Sequence, residues 1–387
     1  MLASCDALRA QVPPNGSEFP KNPNWIRSSV VYQIYPRTFS PEGKLFGVEN
    51  ELMRIKNLGA TCLLILPVAT DDLSTVKLEF GTKDNLKSLV EQAHFNEIRV
   101  ILAFRIEPDA VPEKMKHGFL SWIKSYSLDG IYLMGASSLP KGFLEELSND
   151  IEKFRPSFVL AVDGLGMPGS RLGSDPNFYG TVSNSASGAM PVSFLPPILE
   201  EDSRRPAGAA VPLRFLESYD NPRSAALLGA GAKAGAVLLF TLDGVPMLCA
   251  GQEIGETHQH SIDSKEVIDW KAGSKKNGEL RKFFKQLIHF RKSHPSLARG
   301  QKFRIPSKGS ESAFAFAASY RDDAVLVAVN LSASPVDAVL ELPAIFYSAG
   351  GKLTLKEALG NGKLDRLGED SSSLRLPPWG FMIWESK

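Results

Sequence analysis

From Trp25 onward the chain alternates short apolar runs with longer stretches whose apolar positions recur at helical spacing. Val30–Tyr35 reads as a strand, and the segment after it places Val48, Leu52, Ile55 and Leu58 on one helical face. Cys62–Pro67, Arg99–Phe104, Ile131–Met134, Phe158–Val162, Leu213–Glu217 and Val245–Cys249 repeat the strand pattern. Such runs, apolar on both faces and separated by helices, predict a parallel sheet covered on both sides. Between Gly164 and Pro212 the signal weakens, and the best candidate for a sixth strand is Tyr179–Val182. After Pro295 the texture changes to period two, as in Ala313–Phe316 and Ala324–Val329, which predicts antiparallel β-structure. The expected organisation is an extension over 1–24, a (β/α)8 barrel over 25–298 and an all-β domain over 299–387.

Composition narrows the function classes. With 387 residues, 43% of them hydrophobic and 22% charged, the chain can bury a large core. A formal net charge of +1 without basic patches argues against a nucleic-acid partner. Cys5, Cys62 and Cys249 are too few and too scattered for a disulfide framework or a cysteine metal site. The longest apolar run, Ala234–Leu242, falls short of the ~20 residues of a membrane span. These features point to a cytoplasmic chain. Leu2-Ala3-Ser4-Cys5 has the form of a lipoprotein cleavage box, but only Met1 precedes it. His258 and His260 read as an exposed polar loop, so no metal or other cofactor is expected, and His94, His117, His289 and His294 read as ordinary helix residues.

Three segments together resemble glycoside hydrolase family 13, the α-amylase family. Val31–Phe39 is similar to its first barrel strand, Phe80–Leu86 to the start of its second helix, and Gly244–Met247 with Gly251–Gly255 to its eighth strand and following loop. Trp270 and Leu287–Leu297 resemble the helix leading out of the barrel. The resemblance implies a ligand site at the C-terminal ends of the strands and a C-terminal β-sandwich. It also implies catalysis by two carboxyl groups about 5 Å apart, as retaining glycosidases require.

Matched residue by residue, that chemistry is dismantled. The family's glycine, apolar, arginine, apolar, aspartate run falls on Gly130–Met134, so Tyr132 replaces the arginine and Met134 the nucleophile. Val162 stands where the acid/base glutamate is expected, with Asp163 next to it. Alternation along a strand would then send Asp163 into the opposite layer, leaving it a loop or helix-capping role beside Gly164. The third carboxylate is matched by Asp220, while Ser218 and Tyr219 replace asparagine and histidine. Ala103, Glu107 and Pro108 occupy the strand-three positions, Leu73 replaces the tyrosine that stacks on the sugar, and Glu253 reads as support for the barrel mouth. Only 24 positions separate Arg105 from Asp129, too few for the family's inserted subdomain B or its calcium.

The reading that follows is a catalytically inactive barrel retained for carbohydrate binding or as a protein-interaction scaffold. A missing subdomain and a dismantled site also occur together in the heavy subunits of amino-acid transporters, which are tethered by a membrane helix. An α-glucan or oligosaccharide would be met by Tyr35, Tyr132, Tyr219, Asp220 and Arg223. The alternative is an active retaining α-glycosidase or transglycosidase built on Asp163, Asp220 and Glu107.

Overall fold

The computed structural model describes residues 24–107, 111–261, 263–271, 274–310, 312–348, 353–366 and 371–386. The lipoprotein-like box and Pro108 lie outside the described residues. Eight parallel strands close a barrel in sequence order: β1 (Val31–Ile34), β2 (Cys62–Ile65), β3 (Arg99–Arg105), β4 (Gly130–Met134), β5 (Val159–Val162), β6 (Leu172–Ser174), β7 (Val211–Arg214) and β8 (Val245–Cys249). Between β3 and β4 the described residues carry a single helix, Pro112–Tyr126. Its apolar stripe of Met115, Phe119, Trp122 and Ile123 packs inward.

The sixth strand corrects the sequence expectation. It is Leu172–Ser174, and Tyr179–Val182 instead lies in the helix Pro176–Ala186. Asp175 caps that helix by accepting from the Phe178 amide at 3.0 Å, and Pro176 takes the first turn, where a missing N–H costs nothing. The seventh strand likewise ends at Arg214 rather than Glu217. The apolar helical stretch Ser224–Thr241 has 61% of its residues buried and forms part of the barrel wall.

Strand pairing fixes which side chains face the barrel axis, because partnered residues of neighbouring parallel strands share a face and successive residues alternate. The Tyr132 hydroxyl meets Ser174 Oγ at 2.7 Å across the intervening β5, which places both residues inside the barrel. Phe104 packs edge-on against Trp122 at 5.4 Å and beside Phe119 at 5.3 Å, which places it outside, against the helix.

Beyond the barrel, β9 (Gln301–Ile305), β11 (Ala313–Tyr320), β12 (Asp323–Asn330), β14 (Leu355–Gly360) and β17 (Phe381–Ser386) form one antiparallel sheet. A second sheet joins β10 (Ser307–Lys308), β13 (Val336–Glu341), β15 (Lys363–Arg366) and β16 (Ser371–Leu376). One face of the larger sheet, with Phe314, Phe316, Val325, Val327 and Ile383, belongs to the same apolar cluster as the barrel. Its other face, with Ala315, Leu326 and Trp384, builds a second cluster with Leu340 and Leu374 of the smaller sheet. Lys302, 8% exposed, reaches Asp243 at 3.3 Å across this junction.

Candidate functional site

The mouth of the barrel is built from the last inward residues of its strands. Arg105 partners Met134, and Ala103 partners Tyr132. Tyr132 in turn partners Ala161, and Leu133 partners Val162. Met134 therefore faces the axis with Arg105 beside it, whereas Val162 shares the outward face of Leu133 and is fully buried against the helix layer.

This register overturns the expectation that Asp163 points into the wrong layer. It is Val162 that points away, and Asp163, one residue on, has the parity of Met134. The carboxylate confirms the placement: it accepts from the Gly135 amide at 2.6 Å and the Ala136 amide at 3.1 Å, immediately after Met134. The capping role is real, since these donors open the 3-10 turn Ala136–Ser138. Asp163 thus sits at the mouth, with its oxygens engaged by backbone N–H groups.

Tyr132 is 9% exposed. Burial pushes its hydroxyl well above the usual phenol range; the Ser174 hydrogen bond opposes this, while the negative charges of Asp163 and Asp220 add to it. Two consequences follow. The side chain is a neutral phenol near pH 7, and both carboxylates lie within electrostatic reach of it.

The other sequence candidates divide into wall and rim. Tyr219 is 3% exposed, its hydroxyl lies 2.9 Å from Thr38 Oγ1 and accepts from the Tyr35 amide, and its ring meets Tyr35 edge-on at 5.9 Å. Arg223 is 2% exposed and donates to Glu217 at 2.7 Å and to the Ala250 carbonyl at 3.0 Å, so its guanidinium ties the loop after β7 to that after β8. Glu217 itself is fully buried and also accepts from the Ser224 amide and hydroxyl, both at 2.6 Å. Asp220 is exposed. Glu253 is fully buried and accepts from Tyr32 at 2.7 Å and from Arg54 and Arg281, each at 3.2 Å, which fixes the loop after β8 to the helices beneath it. His258 lies exposed 2.6 Å from Glu266, whereas His260 is buried. Among the described residues no group of three His, Cys, Asp or Glu side chains could hold a metal ion.

The hollow at the mouth lies off the axis. Its volume is about 310 Å³, at the small end for ligand sites. Tyr35, Pro67, Phe104 and Arg105 line it where the chain leaves β1, β2 and β3, while Met134, Tyr132, Asp163 and Asp220 do not. Glu107 lies in this hollow, apart from the other two carboxylates of the alternative reading. Leu73 is also there, held at φ 57° with its carbonyl accepting from the Trp122 indole at 2.7 Å. Sequence reasoning missed Arg105, although its spacing of two from Ala103 already gave the face it shares with Met134. It also missed Arg37, Lys77 and Asp263, which come together only through loop geometry.

Comparison with known proteins agrees with this architecture. No protein-family model matches the chain. Curated relatives include a cyclomaltodextrinase of Geobacillus thermopakistaniensis, 22% identical over 94% of this chain and 77% of its own length. Another is neopullulanase 2 of Thermoactinomyces vulgaris, 22% identical over 96% and 80%. Among solved structures, a noncanonic maltogenic α-amylase from Thermotoga neapolitana superposes with a TM-score of 0.80 at 16% identity, over 93% of this chain and 99% of that one. The debranching enzyme of Nostoc punctiforme gives 0.80 at 18%, over 95% and 99%. The chain therefore resembles the α-amylase family both in sequence and in its barrel-plus-β fold.

Proposed function

We propose, with that resemblance as premise, that the barrel binds saccharide at its mouth without cleaving it. One observation carries the reading: the inward end of β4, where a retaining glycosidase of this plan places its nucleophile, is Met134. A thioether forms no glycosyl ester and offers no charge to a developing oxocarbenium ion. Tyr132, two residues earlier on the same face, is no substitute, because its hydroxyl is held in the neutral form. The saccharide class is supported by solved relatives: one, AmyP, was captured with maltose, and the Nostoc enzyme was soaked with acarbose.

A second reading has a specific observation behind it. Asp163 and Asp220 both lie within electrostatic reach of the Tyr132 hydroxyl. Such a pair is the minimum for acid/base hydrolysis.

Hydrolysis assays separate the two. Incubated with an aryl α-glucoside and with maltotriose, the purified chain is expected to give no turnover above a heat-killed control. Turnover that disappears in both Asp163→Asn and Asp220→Asn would establish the enzyme and end the binding-only reading.

A further inference from the structure

Among the described residues, the charges lining the off-axis hollow do not cancel. Arg37 pairs with Glu79 at 2.5 Å, and Lys77 with Asp71 at 3.1 Å. These pairs account for two cations and two anions of the lining. What remains is Arg105 together with Glu107 and Asp263, one positive charge against two negative ones. Met134, the strand partner of Arg105, supplies no counter-charge, so among the described residues this guanidinium stays available to a ligand.

The hollow is also poor in what a neutral sugar ring uses for stacking. Tyr35 and Phe80 meet edge to face at 5.6 Å and are only 5% and 2% exposed. Leu73 adds only an aliphatic surface. Affinity must then come from hydrogen bonds and charge, and the strongest are those in which one partner is ionised.

We propose that this hollow takes an amino sugar with a free amine, its ammonium set toward Glu107 and Asp263 and its hydroxyl oxygens accepting from Arg105. A neutral sugar leaves the excess negative charge uncompensated, and a uronate or sugar phosphate adds to it. The inference rests on the saccharide-binding reading and goes beyond it by naming the sugar class. Exposed charge pairs contribute a few-fold each, so two carboxylates give a preference of about tenfold.

The test uses the full chain and three probes that differ only at the second carbon: methyl α-glucosaminide, its N-acetyl derivative and methyl α-glucoside, titrated by ligand-observed NMR at pH 6, with maltotriose alongside. The expected result is about tenfold tighter binding of the free amine. That preference should vanish in the Glu107→Gln, Asp263→Asn double variant and shrink as salt is raised. Because both side chains are partly or fully exposed, the variant should keep its unfolding midpoint, and circular dichroism checks this. Equal or tighter binding of the neutral glucoside overturns the amine proposal while saccharide binding stands. If none of the probes binds but maltotriose does, the amine proposal alone fails; if nothing binds, both fall.

Discussion

Replacing Asp163 by alanine distinguishes a carboxylate kept for architecture from one kept for chemistry. In the first case the side chain stabilises the turn after β4, accepting from Gly135 at 2.6 Å and Ala136 at 3.1 Å. The loss resembles removal of an exposed helix N-cap, about 1 kcal/mol within a range of ~0.5–2. Asparagine keeps one acceptor and should lose roughly half as much. With a urea m-value of at least ~3 kcal/mol per molar for a chain of this size, Asp163→Ala lowers the midpoint by about 0.3 M, measurable by intrinsic fluorescence. Catalytic carboxylates commonly cost stability, so their removal stabilises. An Asp163→Ala chain as stable as the parent, or more so, would refute the architectural role and favour the hydrolytic reading.

Other consequences can be checked in the same unfolding assay. Glu253→Gln leaves two guanidiniums facing a neutral amide, and a loss of about 3–5 kcal/mol is expected; below 1 kcal/mol the ionic tie under the mouth is not what holds the loop after β8. Phe104→Ala opens the contact between β3 and the helix Pro112–Tyr126 and should cost about 3–5 kcal/mol, whereas a loss under 1 would contradict its outward packing. Burial alone would raise the Asp129 carboxyl, but His94, the Val100 amide and Arg99 outweigh it and set it below the usual value. Its stabilisation is therefore complete above about pH 4, the unfolded aspartate range, and is lost as pH falls through the lower folded value. Unfolding midpoints of the parent and Asp129→Asn should accordingly differ at pH 6 and converge toward pH 2.

The barrel was readable because most of its strands are continuous apolar runs closed by Gly, Pro or charge, as in Cys62–Ile65 and Val245–Cys249. Leu172–Ser174 escaped because a three-residue strand containing glycine has no periodicity to detect. Tyr179–Val182 misled because tyrosine and valine favour strands, while the Asp175-Pro176 helix start, which the sequence does display, was outweighed. That β4 ends on Met134 was visible residue by residue. The face taken by Asp163 was not, since it depends on how β5 pairs with β4, and a slip of one position exchanges Asp163 with Val162. The off-axis hollow, assembled from loops after three strands, left no trace in any local pattern.

The shared apolar cluster between the barrel and the larger C-terminal sheet has a practical outcome. A gene shortened to stop before Gln301 would strip the cover from Phe283, which packs 5.5 Å from Phe381, and would deprive Asp243 of its lysine. The freed surface would be greasy and would promote self-association, so the barrel expressed by itself should collect in inclusion bodies while the whole chain stays in the supernatant.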